Sequence, residues 1–320
     1  MILAVTLNTA LDVTYDVDAF VPRASHRVRA VRSRAGGKGV NVASVLTLMG
    51  VPVTATGFLG GRTGTEIADD LDARGMSHSF FPCAGESRRT VNVVSAADGD
   101  ATIFNEPGPD VTAAEWSTLV DGIPELLVAD RAAVMVLSGS LPGGVPEDAY
   151  AELVAIARRH EVRTVVDADG VALRLAVTAH PDVAKPNVAE LAAATGEPDV
   201  SGGAEILHRE GALDVVVSAG REGVVAVLRD GRRVKARLRR ALTGNPTGAG
   251  DALVAAVAAS LAGAVGSRPE GSRLTGDVDW STTTVQAVAW SAAAVLRPLA
   301  GDVDPGDVAR LAAQVELEWS

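Results

Sequence analysis

With 320 residues, 47% of them hydrophobic and only 3% aromatic, the chain can bury one large α/β core or two smaller ones, built mostly from Ala, Val and Leu. A formal net charge of −11 excludes a broad basic surface for nucleic acid or for an anionic membrane, so an anionic ligand has to meet positive charge locally. The single cysteine, Cys83, leaves no intramolecular disulfide and no thiolate metal cluster, and no run approaches about 18 apolar residues without Gly or charge; a soluble, cytoplasmic protein is expected.

Ile2 to Leu7 is a continuous apolar run, as expected of a strand buried on both faces, and it ends in Asn8-Thr9-Ala10-Leu11-Asp12. Polar groups at the carboxyl end of a strand are where open α/β sheets place ligands. Val13 to Asp18 and Arg27 to Arg32 alternate polar and apolar residues, which predicts half-exposed antiparallel strands. The glycine-rich turn Gly36-Gly37-Lys38-Gly39 then feeds a helix carrying Val42, Val45, Leu46 and Met49, up to Gly50. This turn is neither a Walker A loop nor a dinucleotide fingerprint. It reads either as a tight strand-to-helix connection or as a close backbone approach to a polyhydroxylated ligand, with Lys38 and Asn41 as donors.

A strand at Val53–Phe58 and a helix at Thr65–Arg74 follow, and then a hairpin signal, Thr90–Ser95 and Ala101–Asn105, whose alternation matches the earlier exposed pair. Four such segments fit one small sheet covering a cleft, with Arg88 and Arg89 at its entrance as phosphate-binding candidates. From Val111 the pattern is regular: helix to Val128, strand Ala132–Leu137 ending in Ser138-Gly139-Ser140, helix Glu147–Arg159, and strand Thr164–Val166 ending at Asp167. Such alternation predicts a parallel sheet with helices on both faces. Val183–Lys185 runs into Pro186-Asn187-Val188-Ala189-Glu190, where Asn187 and Glu190 have the spacing of a capping box and equally of two groups facing a hydrated cation.

A strand at Asp214–Ser218, ending Ser218-Ala219-Gly220, and a hairpin of Val224–Leu228 with Arg233–Leu238 lead to T-G-N-P-T-G-A-G-D at Thr243–Asp251. Here Gly248 and Gly250 open a helix whose first N–H groups can cradle an anion, and Asp251 can accept a proton from a hydroxyl. An Asp capping an ordinary helix is the other reading of the same residues. Gly263–Asp279 is predicted to be a mobile surface loop, and Trp280–Leu296 and Asp304–Val315 to be helices. There is no internal repeat and no linker, so residues 1–320 are expected to form one domain, with a lid from about 12–34 and 88–106.

Taken in order, T-L-N-T-A-L-D, G-G-K-G-V-N-V-A, S-R-R-T-V-N-V, S-G-S-L-P-G-G-V, K-P-N-V-A-E-L, S-A-G-R-E-G and N-P-T-G-A-G-D resemble the PfkB carbohydrate kinases of the ribokinase-like superfamily, specifically their phosphosugar branch. The resemblance runs nearly end to end. It implies a three-layer αβα fold with a mostly parallel central sheet and a four-stranded β lid through which two subunits pair. It also implies an ATP- and Mg²⁺-dependent kinase acting on a hydroxyl of a ketohexose phosphate. Fructose 1-phosphate is the favoured acceptor, and tagatose 6-phosphate, fructose 6-phosphate, an unphosphorylated sugar or nucleoside, or binding without catalysis are the alternatives.

The resemblance also assigns roles. Asp251 matches the base, and Gly248, Ala249 and Gly250 the anion hole. Asp12, Gly37, Asn41 and Ser138 match positions that hold the sugar, and Arg88 the grip on its phosphate, with Arg27 and Lys38 as further candidates. Lys185, Asn187, Glu190, Ser218, Gly220, Gly223 and Asn245 fall at the nucleotide, with Asn187 and Glu190 near Mg²⁺ through water. Two positions depart from the branch: Thr9 stands where Pro is usual and Ala252 where Ser often follows the acid.

Overall fold

The structure is a computed structural model of the chain and describes residues 1–97, 99–263 and 278–320. The apolar run at the amino end forms β1 (Ile2–Thr6), buried at every residue as a strand covered on both faces must be. The chain then leaves the main sheet for β2 (Ala10–Val17) and β3 (Ala30–Gly36). It returns through α1 (Lys38–Leu48), β4 (Val53–Leu59), α2 (Gly61–Ala73) and the short β5 (Phe81–Pro82), and leaves again for β6 (Arg88–Ser95) and β7 (Ala101–Asn105). From α3 (Ala113–Ala129) onward the order is β8 (Val134–Ser138), α4 (Ala149–Arg159), β9 (Arg163–Asp167), α5 (Gly170–Thr178), β10 (Val183–Ala184), α6 (Val188–Thr195), α7 (Val200–Glu210) and β11 (Asp214–Ser218). The hairpin β12 (Val224–Val227) and β13 (Arg233–Leu238) precedes α8 (Ala249–Leu261), α9 (Trp280–Val295), α10 (Pro305–Ala312) and β14 (Val315–Trp319).

The main sheet is 10-stranded in the order β14-β13-β12-β11-β10-β9-β8-β1-β4-β5. It is parallel from β5 to β11 and antiparallel beyond. Alternate strand residues face opposite cores. Ile2, Ala4, Val134 and Val136 join α1, α2, α8, α9 and α10 on one side, while Leu3, Val5, Met135 and Leu137 join α3 to α7 on the other. This is the three-layer architecture expected. Helix α8 is apolar almost all round and buried between α1 and α9, and its alanines let the neighbouring helices approach closely.

The four-stranded lid has the order β3-β2-β6-β7. Its outer pairs are antiparallel as predicted, but the central β2/β6 pair is parallel, because each outer strand hairpins onto one of two strands that both leave the main body in the same direction. The predicted strand Arg27–Arg32 forms instead at Ala30–Gly36, since pairing with β2 runs from Ala10↔Gly36 to Asp16↔Ala30. Several elements were not predicted. In α7 the pair Gly202-Gly203 lowers helix propensity, yet Gly203 is required because a Cβ there would stand 2.8 Å from Leu191 Cγ. Helix α5 and strand β5 were likewise not predicted, nor was β14. The helix predicted to reach Val315 stops at Ala312, and V-E-L-E-W, a period-two pattern, pairs with β13. Most of the predicted Gly263–Asp279 loop, residues 264–277, lies outside the described residues.

Candidate active site

A cleft of about 1660 Å³ runs along the carboxyl ends of β1, β8, β9, β10 and β11 and beneath the lid. Pockets for one ligand occupy roughly 300–1,000 Å³, so this one has room for two substrates side by side.

At its centre Asp251 occupies the third position of α8. The N-cap Gly248 has φ 82°, and a Cβ on it would meet Ala300 Cα at 2.8 Å, so both conformation and space demand glycine. Gly248, Ala249 and Gly250 all line the cleft at this helix start. Asp251 is only 7% exposed, and its Oδ2 accepts from Asn41 Nδ2 at 2.8 Å. Burial, and then the charge of Asp167, push its pKa up to about 6, while the Asn41 hydrogen bond and Lys38 and Lys185 hold it down. A buried carboxyl poised near neutral pH at a helix N-terminus is equipped to take a proton.

Two ammonium groups flank it. Lys185 Nζ lies 3.0 Å and Lys38 Nζ 3.4 Å from the buried carboxylate of Asp167, which also accepts from Ser138 Oγ at 2.9 Å. Although burial opposes charge, these partners keep Asp167 below the usual carboxylate range. Burial likewise opposes the Lys38 ammonium, but Asp167, Glu190 and Asp251 raise its pKa, so it stays charged. A Cβ on Gly250 would stand 3.5 Å from Lys185 Nζ, which places that ammonium beside the candidate anion hole. Beyond it, the capping box of α6 is complete: Asn187 Oδ1 accepts from Glu190 N–H and Glu190 Oε2 from Asn187 N–H, both at 2.8 Å. The cap leaves Glu190 Oε1 turned toward Lys38 Nζ at 4.0 Å, so one carboxylate oxygen still faces the cleft. Ser218, Gly220, Gly223 and Asn245 line the same end. The side chain of Asn245 is already engaged, accepting from Thr247 N–H in its own loop and donating to Pro298 O in the connection after α9.

The lid supplies the opposite end. Asp12 on β2 lies directly across from Arg34 on β3 and Thr90 on β6. Burial pushes its pKa up to about 6 against the lowering effects of Arg88, Thr90 and Arg34. Arg88 donates from Nε to Asn8 O at 3.1 Å and from Nη1 to Thr90 Oγ1 at 3.3 Å. Gly37, with φ 96°, and Lys38 and Asn41 form the wall between lid and base. Thr9 donates its hydroxyl to Thr6 O at 3.0 Å, a bond that proline cannot make, and so closes the turn presenting Asn8 and Asp12.

Two candidates are not brought to the cleft. Arg27 is exposed on the connection between β2 and β3 and is not among the lining residues. Ser138 is 0% exposed, and its hydroxyl is directed at Asp167, not at a ligand. Conversely, Asp167, Thr6, Asn8 and Arg34 line the cleft without having been singled out for a role. Their one visible signal was position, since Asp167 and Asn8 each end or follow a buried apolar strand.

A buried carboxyl at a helix start, two lysines beside it, and an arginine and an aspartate on the lid across the same cleft are groups that suit moving a phosphoryl group between two bound molecules. Comparison with known proteins agrees. The pfkB family carbohydrate kinase pattern matches residues 5–303. The 1-phosphofructokinase of Xanthomonas campestris pv. campestris is 38% identical over 268 residues, 81% of this chain and 83% of that protein. That of Rhodobacter capsulatus is 39% identical over 259 residues, 79% and 81% of the two chains. The structure of phosphofructokinase-2 from Escherichia coli in complex with fructose-6-phosphate superimposes with a TM-score of 0.85 at 26% identity, covering 98% of each chain. The chain belongs to the pfkB family of carbohydrate kinases.

Proposed function

We propose that this kinase transfers the γ-phosphoryl group of ATP to a free hydroxyl of a ketohexose phosphate, with fructose 1-phosphate as the acceptor, giving a bisphosphate and ADP. The observation that carries the reading is the buried Asp251–Asn41 pair at the α8 start, facing Arg88 and Asp12 across one cleft. The two relatives named 1-phosphofructokinase support the choice of acceptor.

In this mechanism Asp251 orients the hydroxyl and accepts its proton as the oxygen attacks the γ-phosphorus and ADP leaves in line. Asn41 holds the carboxylate by its Oδ2 and leaves Oδ1 for that proton. The N–H groups of Gly248 and Gly250, with Lys185 beside them, meet the negative charge developing on the phosphoryl oxygens, and that of Ala249, which donates to Pro246 O at 3.2 Å, joins them on leaving that carbonyl. Asp12, Gly37 and Asn41 hold the sugar, and Arg88 pairs with the phosphate it already carries. No cluster of three or more metal-ligating side chains occurs among the described residues. Asn187 and Glu190, at the start of α6 on the cleft wall, are the residues that would reach Mg²⁺ through water, and the ion would neutralise phosphate charge there. Val31 and Phe104 are exposed on the face of the lid turned away from the cleft, which supports a homodimer formed lid to lid.

A coupled assay of ADP release over a panel of hexose phosphates and neutral sugars tests the reading. Fructose 1-phosphate is expected to give the highest kcat/KM. A higher value with tagatose 6-phosphate or fructose 6-phosphate reassigns the acceptor, and a preference for neutral sugars removes the phosphate grip.

A further inference from the structure

We propose that Asn8 is a positioning residue that couples capture of the substrate's phosphate by Arg88 to movement of the lid over the cleft. The inference rests on the phosphosugar reading above.

Asn8 lies between β1 and β2, where the chain first leaves the main sheet for the lid, and it is 5% exposed. The second lid segment comes in at Arg88 and goes back at Pro107, and both crossings are bonded to this one residue. Arg88 Nε donates to the Asn8 carbonyl at 3.1 Å, and Asn8 Nδ2 donates to Pro107 O at 2.9 Å. The same Nδ2 reaches Ser140 Oγ at 3.2 Å, in the loop after β8, which fixes the amide to the main body. The start of β2, the start of β6 and the end of β7 are thus tied at a single point.

The other end of the amide is free. Asn8 Oδ1 is buried and has no hydrogen-bond partner, and Gly108 lies directly against it, so that a Cβ on Gly108 would stand 2.1 Å from the oxygen. Buried acceptors without a partner are uncommon in native folds, and one at a crossing point is available to a donor that arrives when the crossing shifts. Phosphate competes with the Asn8 carbonyl and the Thr90 hydroxyl for the Arg88 guanidinium, because a charged acceptor outbids neutral ones. When Arg88 turns to phosphate, one of the two ties between lid and body is released while Nδ2 to Pro107 remains as the pivot. Asp251 and Asn41 stand on α8 and α1 in the main body and keep their bond throughout.

The test compares Asn8→Ala, Asn8→Asp, Arg88→Ala and the two double variants. Asn8→Asp keeps the side chain's shape and removes its N–H donors. For each, the KM values for fructose 1-phosphate and ATP are measured, together with the ratio of ATP hydrolysed to sugar phosphorylated. That ratio comes from the same folded molecules in both terms, so it does not depend on how much of a variant is folded. Each Asn8 variant is expected to raise the sugar-phosphate KM about tenfold with the ATP KM within about twofold, and to raise the hydrolysis-to-transfer ratio about tenfold, because a lid that closes out of step admits water. In the Arg88→Ala background the same change is expected to add less than about twofold, the sign of two residues acting through one event. An unchanged ratio in Asn8→Asp, or full additivity with a strong Arg88→Ala effect, overturns the role of Asn8 alone. An Arg88→Ala variant with an unaltered KM for the sugar phosphate overturns the phosphosugar reading, and the coupling with it.

Discussion

Asp251 is held under two opposing demands. Its burial favours the neutral acid, and its proposed work as a base needs the carboxylate. Because folding raises this pKa from 3.8 to about 6, the stability the group contributes is complete below about pH 4 and is lost as pH rises through about 6. By about 1.36 kcal/mol per unit this is on the order of 2–3 kcal/mol. Asp251→Asn is therefore expected to lower kcat by about 10²–10⁴-fold, while its melting temperature at pH 8 equals or exceeds that of the wild type and the gap closes near pH 4. Wild-type turnover in this variant removes Asp251 from the role of base. In the unaltered enzyme kcat/KM is expected to fall below about pH 6 and to steepen toward two protons, since Asp12 is also raised to about 6. The separate motifs at Asn41 and Asp251 were legible in the sequence. Their direct bond was not, because nothing local relates two side chains 210 positions apart.

The proposed anion hole belongs to an element, helix α8, more than to any one residue. Gly248, with its positive φ, opens the helix at the cleft wall, and the backbone at Ala300 and Gly301 fills the space a side chain would need. Gly248→Ala is expected to lower kcat about 10²-fold or more and to destabilise by more than about 1 kcal/mol, read by single-turnover kinetics and by denaturant unfolding. Retention of full activity would show that these amides are not used. At this scale the sequence was most readable where a glycine turn meets a periodic helix, as at Gly37 and Gly248. It was least readable where pairing or packing decides: β3 takes its register from β2, Gly203 in α7 is required because Leu191 presses on it, and the Asn187–Glu190 spacing had two readings, of which the capping bonds show one.

The molecule as a whole solves a charge problem. A chain of net charge −11 must admit two polyanions, and it does so by gathering Lys38, Lys185, Arg88 and Arg34 around one cleft while Asp167 keeps the lysines oriented. Affinity for both substrates is consequently expected to weaken as ionic strength rises. In the proposed dimer the lid is the part whose state depends on assembly. Light scattering at assay concentration is expected to give twice the chain mass of 32.7 kDa, and Phe104→Glu to shift that value toward the monomer; an unaltered chain found as monomer removes the lid-to-lid contact. The αβα layering was visible in the alternating strand and helix signals, but the parallel centre of the lid was not, since it depends on two segments far apart in the chain.

The bond between Asn41 and Asp251 also has a meaning in time. Translation delivers α1 with its glycine turn early and α8 some 210 residues later, so a growing chain carries the sugar-side groups long before it carries the base. Until α8 docks beside α1, Asn41 lacks the Asp251 carboxylate that it holds in the folded chain, and the proposed anion hole is absent. Closing that contact brings the proposed base to its hydrogen-bond partner, and α9, with α10 packed on it, both later in the chain, then covers α8 and completes that face of the core, so a ribosome-bound fragment ending before α8 is expected to be catalytically silent.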